Sequence, residues 1–265
     1  MRQEVIAGLT RTKLIGRKII YHQSIDSTNN EAKRRAPDLE EGTVILSELQ
    51  TAGRGRFGRE WASPAGKGIW LTILLKPNLP PPQVPQLTLV AAAAVCLALE
   101  KTDANLRESL RIKWPNDLYL GEKKAGGILT EMQAGADQVQ SVAVGIGLNV
   151  NFEETDFPEE LRGKATSLSL ETGAVYDRNI ITAEIFKAFE SLYLQFLETG
   201  ELGNSLEICR QRSAVLGRKV ILNRRGREEE AQALDLGSQG ELIVRLADGG
   251  ISAVISGEVS LKVSD

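Results

Sequence analysis

Apolar positions along this chain fall into two textures. In the first, apolar runs at 19–22, 43–48 and 68–75 are interspersed with stretches of helical spacing. The segment Ile69-Trp70-Leu71-Thr72-Ile73-Leu74-Leu75 is apolar at nearly every position, which predicts a strand covered on both faces. Asp26-Ser27-Thr28-Asn29 supplies side-chain oxygens that can cap a helix over 30–36. Pro80-Pro81-Pro82 marks a turn before a helix over 87–101, whose alanines permit close packing on a sheet. Runs at 111–114, 118–120, 127–133 and 139–146 read as consecutive strands, with turns at Asn116-Asp117 and Gly135-Ala136-Asp137. Ile185, Phe186, Phe189, Leu192, Tyr193 and Phe196 recur at helical spacing within 182–198, forming one core-facing stripe, and another helix covers about 206–212.

After Gly217 the runs shorten. Stretches at 219–222, 229–235, 242–246, 251–255 and 258–263 are separated by Gly226, Gly237, Gly240 and Gly249-Gly250, the pattern of a small five-stranded barrel. The chain is therefore expected to comprise a lead-in over 1–16, an α+β domain with a mixed, largely antiparallel sheet over 17–213, and a β-barrel over 214–265.

Composition narrows the function. The 265 residues are 42% hydrophobic and 25% charged, with a formal net charge of −3, which is the balance of a globular protein. A net acidic chain lacks the basic excess that an unspecific nucleic-acid binder uses on phosphates. One histidine, His22, rules out a multi-histidine metal site and leaves little room for a histidine-based triad. Cys96 and Cys209 stand apart, as reduced buried thiols do. No apolar run follows the first residues and 87–99 is too short to span a bilayer, so a cytoplasmic protein without membrane contact is expected.

Three segments carry candidate chemistry. Gln50-Thr51-Ala52-Gly53-Arg54-Gly55-Arg56-Phe57-Gly58-Arg59-Glu60-Trp61 packs three glycines and three arginines into seven residues. Such a loop approaches a ligand closely and presents arginine forks to phosphate oxygens. Taken alone, it reads equally as a solvated surface loop or a nucleic-acid contact; no Gly-Lys-Ser/Thr follows, which excludes a Walker loop. With little apolar payload to offset the ordering cost, the loop is expected to order on an anionic ligand. Lys113-Trp114-Pro115-Asn116-Asp117 and Lys123-Lys124-Ala125-Gly126-Gly127-Ile128 place lysines near turns, as point charges for a carboxylate or phosphate or as a solvated hairpin tip. Gly145-Ile146-Gly147-Leu148-Asn149 alternates glycines, which suits close approach of a flat ligand.

In this order, Ser27-Thr28-Asn29, the arginine–glycine loop through Trp61, Lys113 to Asp117, Lys124-x-Gly126-Gly127-Ile128 and Gly147-Leu148-Asn149 resemble the biotin protein ligases (biotin–[acetyl-CoA-carboxylase] ligases). The resemblance covers nearly the whole chain. It implies a catalytic domain similar to class II aminoacyl-tRNA synthetases followed by an SH3-like barrel. The implied activity is ATP-dependent formation of biotinyl-5'-adenylate, then transfer of biotin to a lysine of a biotin carboxyl carrier protein. By the same resemblance, Ser27, Thr28, Asn29, Gln50, Gly53, Arg54, Gly55, Arg56, Lys124 and Gly127 would contact biotin. Arg54, Arg56, Arg59, Trp61, Lys113, Asn116, Asp117 and Asn149 would serve ATP, with Lys124, Arg54 and Arg56 catalytic.

Mg²⁺ would arrive with the polyphosphate, with Asp117 a neighbour and no site built by protein alone. Some members carry an N-terminal DNA-binding helix-turn-helix. The residues before the first strand are too few for one, so no DNA binding is expected of this chain. A homodimer pairing through 68–75 remains open. The alternatives are a lipoate-type ligase, which would lack the loop and barrel, and a nucleic-acid-binding protein using the arginines.

Overall fold

A computed structural model describes residues 1–134, 138–224, 227–255 and 257–261. The turn expected at 135–137, Gly226 and positions 262–263 of the last expected strand lie outside the described residues.

Helix α1 (Gln3–Leu9) opens the chain and buries Ile6 against α5 (Arg178–Thr199), so the expected lead-in is a packed element. Strand β1 (Ile19–His22) follows, then α2 (Thr28–Arg35), β2 (Val44–Ser47), β3 (Gly68–Leu75) and α3 (Gln86–Thr102). Next come β4 (Leu110–Lys113), β5 (Asp117–Leu120), β6 (Lys123–Ala134) and β7 (Val139–Asn149). Helix α4 (Leu168–Thr172), α5 and α6 (Asn204–Gln211) complete the first part. Helix α2 starts two residues before the expected position because Ser27, extended and just outside it, accepts from the Asn30 N–H and satisfies an otherwise orphaned donor.

The sheet runs β1-β2-β3-β7-β6-β5-β4, parallel only between β1 and β2. Strand β3 is flanked by β2 and β7, which closes the route to a homodimer through 68–75. Alternation of side chains sorts the sheet into two faces. Ile69, Leu71 and Ile73, with Val142, Val144 and Ile146, join the core containing α3 and α5. The alanine run Ala91 to Ala94 is fully buried in that core. Ile45, Leu74 and Ala143 face Ala32 and Ala36 of α2 instead. Beyond α2 this second face is left open, and the polar residues of the strands gather there.

The C-terminal part is a five-stranded sheet ordered β11-β10-β9-β8-β12, from β8 (Lys219–Arg224), β9 (Arg227–Leu236), β10 (Leu242–Leu246), β11 (Ile251–Val254) and β12 (Glu258–Leu261). Its Val220, Leu222, Ala233 and Val244 belong to the same apolar cluster as α3. The buried Trp114 indole N–H donates to the Gly240 carbonyl at 2.9 Å, and Gln86 donates to Gln239 at 2.7 Å. The small sheet is thus docked onto the strand that precedes Asn116. Among the described residues, one helical stretch, Pro81–Thr102, is long and apolar enough to cross a bilayer, and 78% of its most apolar window is buried inside the fold.

Candidate active site

A cavity of about 370 Å³ opens on the second face of the sheet. Its base is a row of paired residues across four strands: Lys113 opposite Asp117, Asp117 opposite Gly127, and Gly127 opposite Gly147. The register of β5 on β6 shifts between Leu118 and Tyr119, so that Gly126 opposes Leu118 while Lys124 opposes Tyr119. Ala125 is the extra residue of this bulge. A single extra residue reverses the facing of everything beyond it. Lys124 therefore shares a face with Gly127 and Asp117, and its ammonium lies 2.7 Å from the Asp117 carboxylate and 5.3 Å from the Trp61 ring centroid. Lys123, next to it, does not line the cavity.

The floor at one end is neutral and fully hydrogen-bonded. The Thr28 N–H and hydroxyl both point to Gln50 Oε1, at 2.8 and 3.1 Å, and Gln50 Nε2 donates to Ser63 Oγ at 2.9 Å. Thr72 Oγ1 lies 2.6 Å from Asn29 Oδ1 and 2.8 Å from Thr28 Oγ1. The Asn29 amide donates to the Leu129 carbonyl and to Glu131. Both ends of Asn29 are thereby hydrogen-bonded within the protein, although it lines the cavity.

The other wall is cationic. The arginine–glycine loop folds back on itself, with the Gly55 N–H donating to the Arg59 carbonyl at 2.8 Å and the Trp61 N–H to the Gly53 carbonyl at 2.9 Å. Phe57 at its tip is 69% exposed and left-handed, with φ 58°. A non-glycine residue there costs roughly 1–3 kcal/mol. Arg54 donates to Asn30 Oδ1 at 3.0 Å and reaches Glu131 at 3.4 Å. Arg56 donates to Asn116 Oδ1 at 3.0 Å and to the Gly257 carbonyl at 3.1 Å, bridging the two parts of the molecule. Arg59 also lines the opening. Lys113 lies 5.6 Å above the Tyr119 ring, whose phenol is pushed up to about 12 by burial and then by the Asp117 carboxylate. That phenol stays protonated at neutral pH.

Every expected site residue but one lines this cavity. The exception is Gly53, buried behind it, where a Cβ would collide with the Trp61 carbonyl. The alternating glycines of β7 both line the cavity. A Cβ at Gly145 would run into Asn29, and one at Gly147 would sit 2.7 Å from the Trp61 indole nitrogen, so the bare backbone there also makes room for protein side chains. Asn149 lines the cavity, yet its amide is donated to the Thr166 carbonyl. Tyr119 and Lys164, which line the cavity, and Glu131, which contacts Asn29 and Arg54, went unnoticed in the sequence. Glu131 and Tyr119 sit inside strands with no motif around them, and Lys164 joins through a parallel bridge between Lys124 and Ala165 that sequence spacing does not announce. His22 is not among the lining residues, and the buried Cys96 and Cys209 are free, with thiols raised by burial, Cys209 to about 12.

The Biotin/lipoate A/B protein ligase family model matches residues 20–151, and the model of the biotin protein ligase C-terminal domain matches 215–262. The biotin–[acetyl-CoA-carboxylase] ligase of Paracoccus denitrificans is 35% identical over 221 residues, covering 83% of this chain and 91% of that protein. The chain belongs to the biotin protein ligase family. The bifunctional ligase/repressor of Bacillus subtilis is 43% identical over 198 residues, 74% of this chain, and the match spans 60% of that relative's length. A biotin protein ligase from Aquifex aeolicus, solved in complex with biotin and ATP, superposes with a TM-score of 0.77 at 32% identity, covering 93% of this chain and 99% of that one. The family fold, a mixed sheet with helices followed by an SH3-like domain, is the fold described above.

Proposed function

We propose that this chain activates biotin with ATP to biotinyl-5'-adenylate and passes the biotinyl group to a lysine of a biotin carboxyl carrier protein. The observation that carries the reading is the Lys124 ammonium, brought by a bulge over Gly127 and held by Asp117, between a neutral floor and an arginine rim. A ureido ring offers one carbonyl and two N–H groups, which Thr28, Ser27 and Gln50 on the floor can meet. An analogue leaving such groups unpaired would lose about 1–3 kcal/mol for each.

In the first step a carboxylate oxygen attacks the α-phosphorus of ATP, and the bond to the departing pyrophosphate breaks. Two anions must meet, so the dominant contribution is positive charge fixed where they join. Lys124 supplies it, with Arg54 and Arg56 closing from the rim. Magnesium bound with the triphosphate would offset the negative charge of the pyrophosphate. Among the described residues no three acidic, histidine or cysteine side chains gather to hold an ion, and Asp117 is engaged by Lys124. Asp117 accordingly serves to orient the ammonium. In the second step the acceptor amine attacks the acyl carbon of the mixed anhydride and AMP leaves, a reaction that needs mainly positioning.

The proposed setting is the cytoplasm, with the carrier protein as partner and no DNA contact by these residues. Incubation with biotin, Mg²⁺ and ATP should release pyrophosphate and leave a retained adenylate, which a carrier domain then consumes. In thermal shift, biotin should stabilise the protein while lipoate and oligonucleotide should not. Stabilisation by lipoate or oligonucleotide in place of biotin would overturn the assignment.

A further inference from the structure

Glu131 lies on β6 two residues beyond Leu129, a cavity-lining residue, and so on the same face of the strand. One carboxylate oxygen is 2.7 Å from the Lys33 ammonium and 3.4 Å from Arg54, and the other accepts from Asn29 at 2.8 Å. Asn29 continues to Thr72, Thr72 to Thr28, Thr28 to Gln50, and Gln50 to Ser63, whose hydroxyl donates to the Trp61 carbonyl. This chain of hydrogen bonds leaves the loop at Arg54, crosses the floor and returns to the loop at Trp61.

Two features make it responsive. The hydroxyl contacts among Asn29, Thr72, Thr28 and Gln50 number three but have only two hydroxyl hydrogens to share, so a ligand group at Thr28 redistributes them towards or away from Asn29. The single charge of Glu131 faces two cations, and Lys33 takes the shorter contact. Arg54, 44% exposed at its side chain, is left with a weak hold that orients its guanidinium at the cavity mouth yet yields readily to an anion.

We infer that Glu131 is a positioning residue for ligand retention: its carboxylate, shared between Lys33 and Asn29, pre-orients Arg54 so that the rim closes on an adenylate sensed through the floor. The inference rests on the reading of this cavity as the site of biotin activation.

The test is a double-mutant cycle on release of biotinyl-adenylate from the full chain, followed with an excess of unlabelled biotin and ATP as trap. E131Q keeps an acceptor for Asn29 and removes the charge. It should release the adenylate about tenfold faster and raise the KM for biotin, while kcat for adenylate formation changes far less. In an Arg54→Ala background the same substitution should add nothing. Lys33→Met leaves the whole carboxylate charge to Arg54 and should slow release. Should E131Q fail to fold, the cycle of Lys33→Met with Arg54→Ala decides in its place.

Effects of Glu131 and Arg54 that simply multiply, or acceleration by Lys33→Met, would overturn the inference while the ligase reading stands. A parent protein that makes no adenylate overturns both.

Discussion

The floor and the rim of the cavity are built from opposite materials. Thr28, Asn29 and Thr72 are buried, uncharged and bonded to one another, and their hydrogen bonds exist before any ligand arrives. Arg54 and Phe57 are exposed and Arg54 holds only long or neutral partners, on a loop that folds back on its own main chain. A prebuilt neutral floor discriminates by shape and hydrogen bonding, because a mismatched group is penalised at once. A charged, loosely held rim discriminates little but responds to net charge, and it gains most when water is excluded. Lys124 belongs to neither, being a cation made rigid by β6 and Asp117.

The largest effect should come from Lys124. Lys124→Ala is expected to cut adenylate formation by about 10²–10³-fold, the scale of losing a fixed charge-stabilising group, with the thermal midpoint nearly unchanged. Pyrophosphate release measures it, and a near-normal rate would place the chemistry elsewhere. Second, Gln50→Leu should cost about 1–3 kcal/mol of biotin affinity, since it strips Thr28 and Ser63 of their partner. Biotinol, which has no carboxylate, should show the same loss, and its affinity should not vary with salt, whereas ATP affinity should fall as salt screens the rim. Equal salt slopes for the two ligands would dissolve the distinction between floor and rim. Third, hydrogen exchange at 53–58 should slow on addition of biotin and ATP, while the amides of β3 stay protected throughout.

The smallest effect concerns pH. Burial pushes the Glu131 carboxyl up, but hydrogen bonds from Lys33 and Asn29, with the charges of Lys33 and Arg54, outweigh it and hold the group below its usual value. A carboxylate depressed in the folded state contributes stability above its unfolded pKa and loses it as pH falls through the folded one. E131Q should therefore be less stable than the parent at neutral pH, and the difference should shrink below about pH 4. Urea midpoints at the two pH values report it; a constant difference would mean that Glu131 acts by packing alone.

Much of the scaffold was legible because periodicity is local. The apolar run of β3, the aromatic stripe of α5 and the glycine-punctuated strands of the small sheet each announced themselves within a few residues. The gathering of Arg54, Asn116 and Lys124 was legible only through the ordered set of motifs, since the residues are remote in the chain. Glu131 was not legible at all. An isolated glutamate in a strand resembles any solvated one until α2 brings Asn29 and Lys33 to it.

By itself, then, the amino-acid order determined the elements, the family likeness and the residue types available for charge and hydrogen bonding, because backbone preference and amphipathic period act over neighbouring positions. Tertiary structure alone decided how Lys124 is turned into the cavity and held by Asp117, that Gly145 and Gly147 make room for Asn29 and Trp61, and that Glu131 joins floor to rim. Those outcomes hang on strand register and on side chains meeting across the sheet, and the one-residue bulge at Ala125 is what turns Lys124 inward.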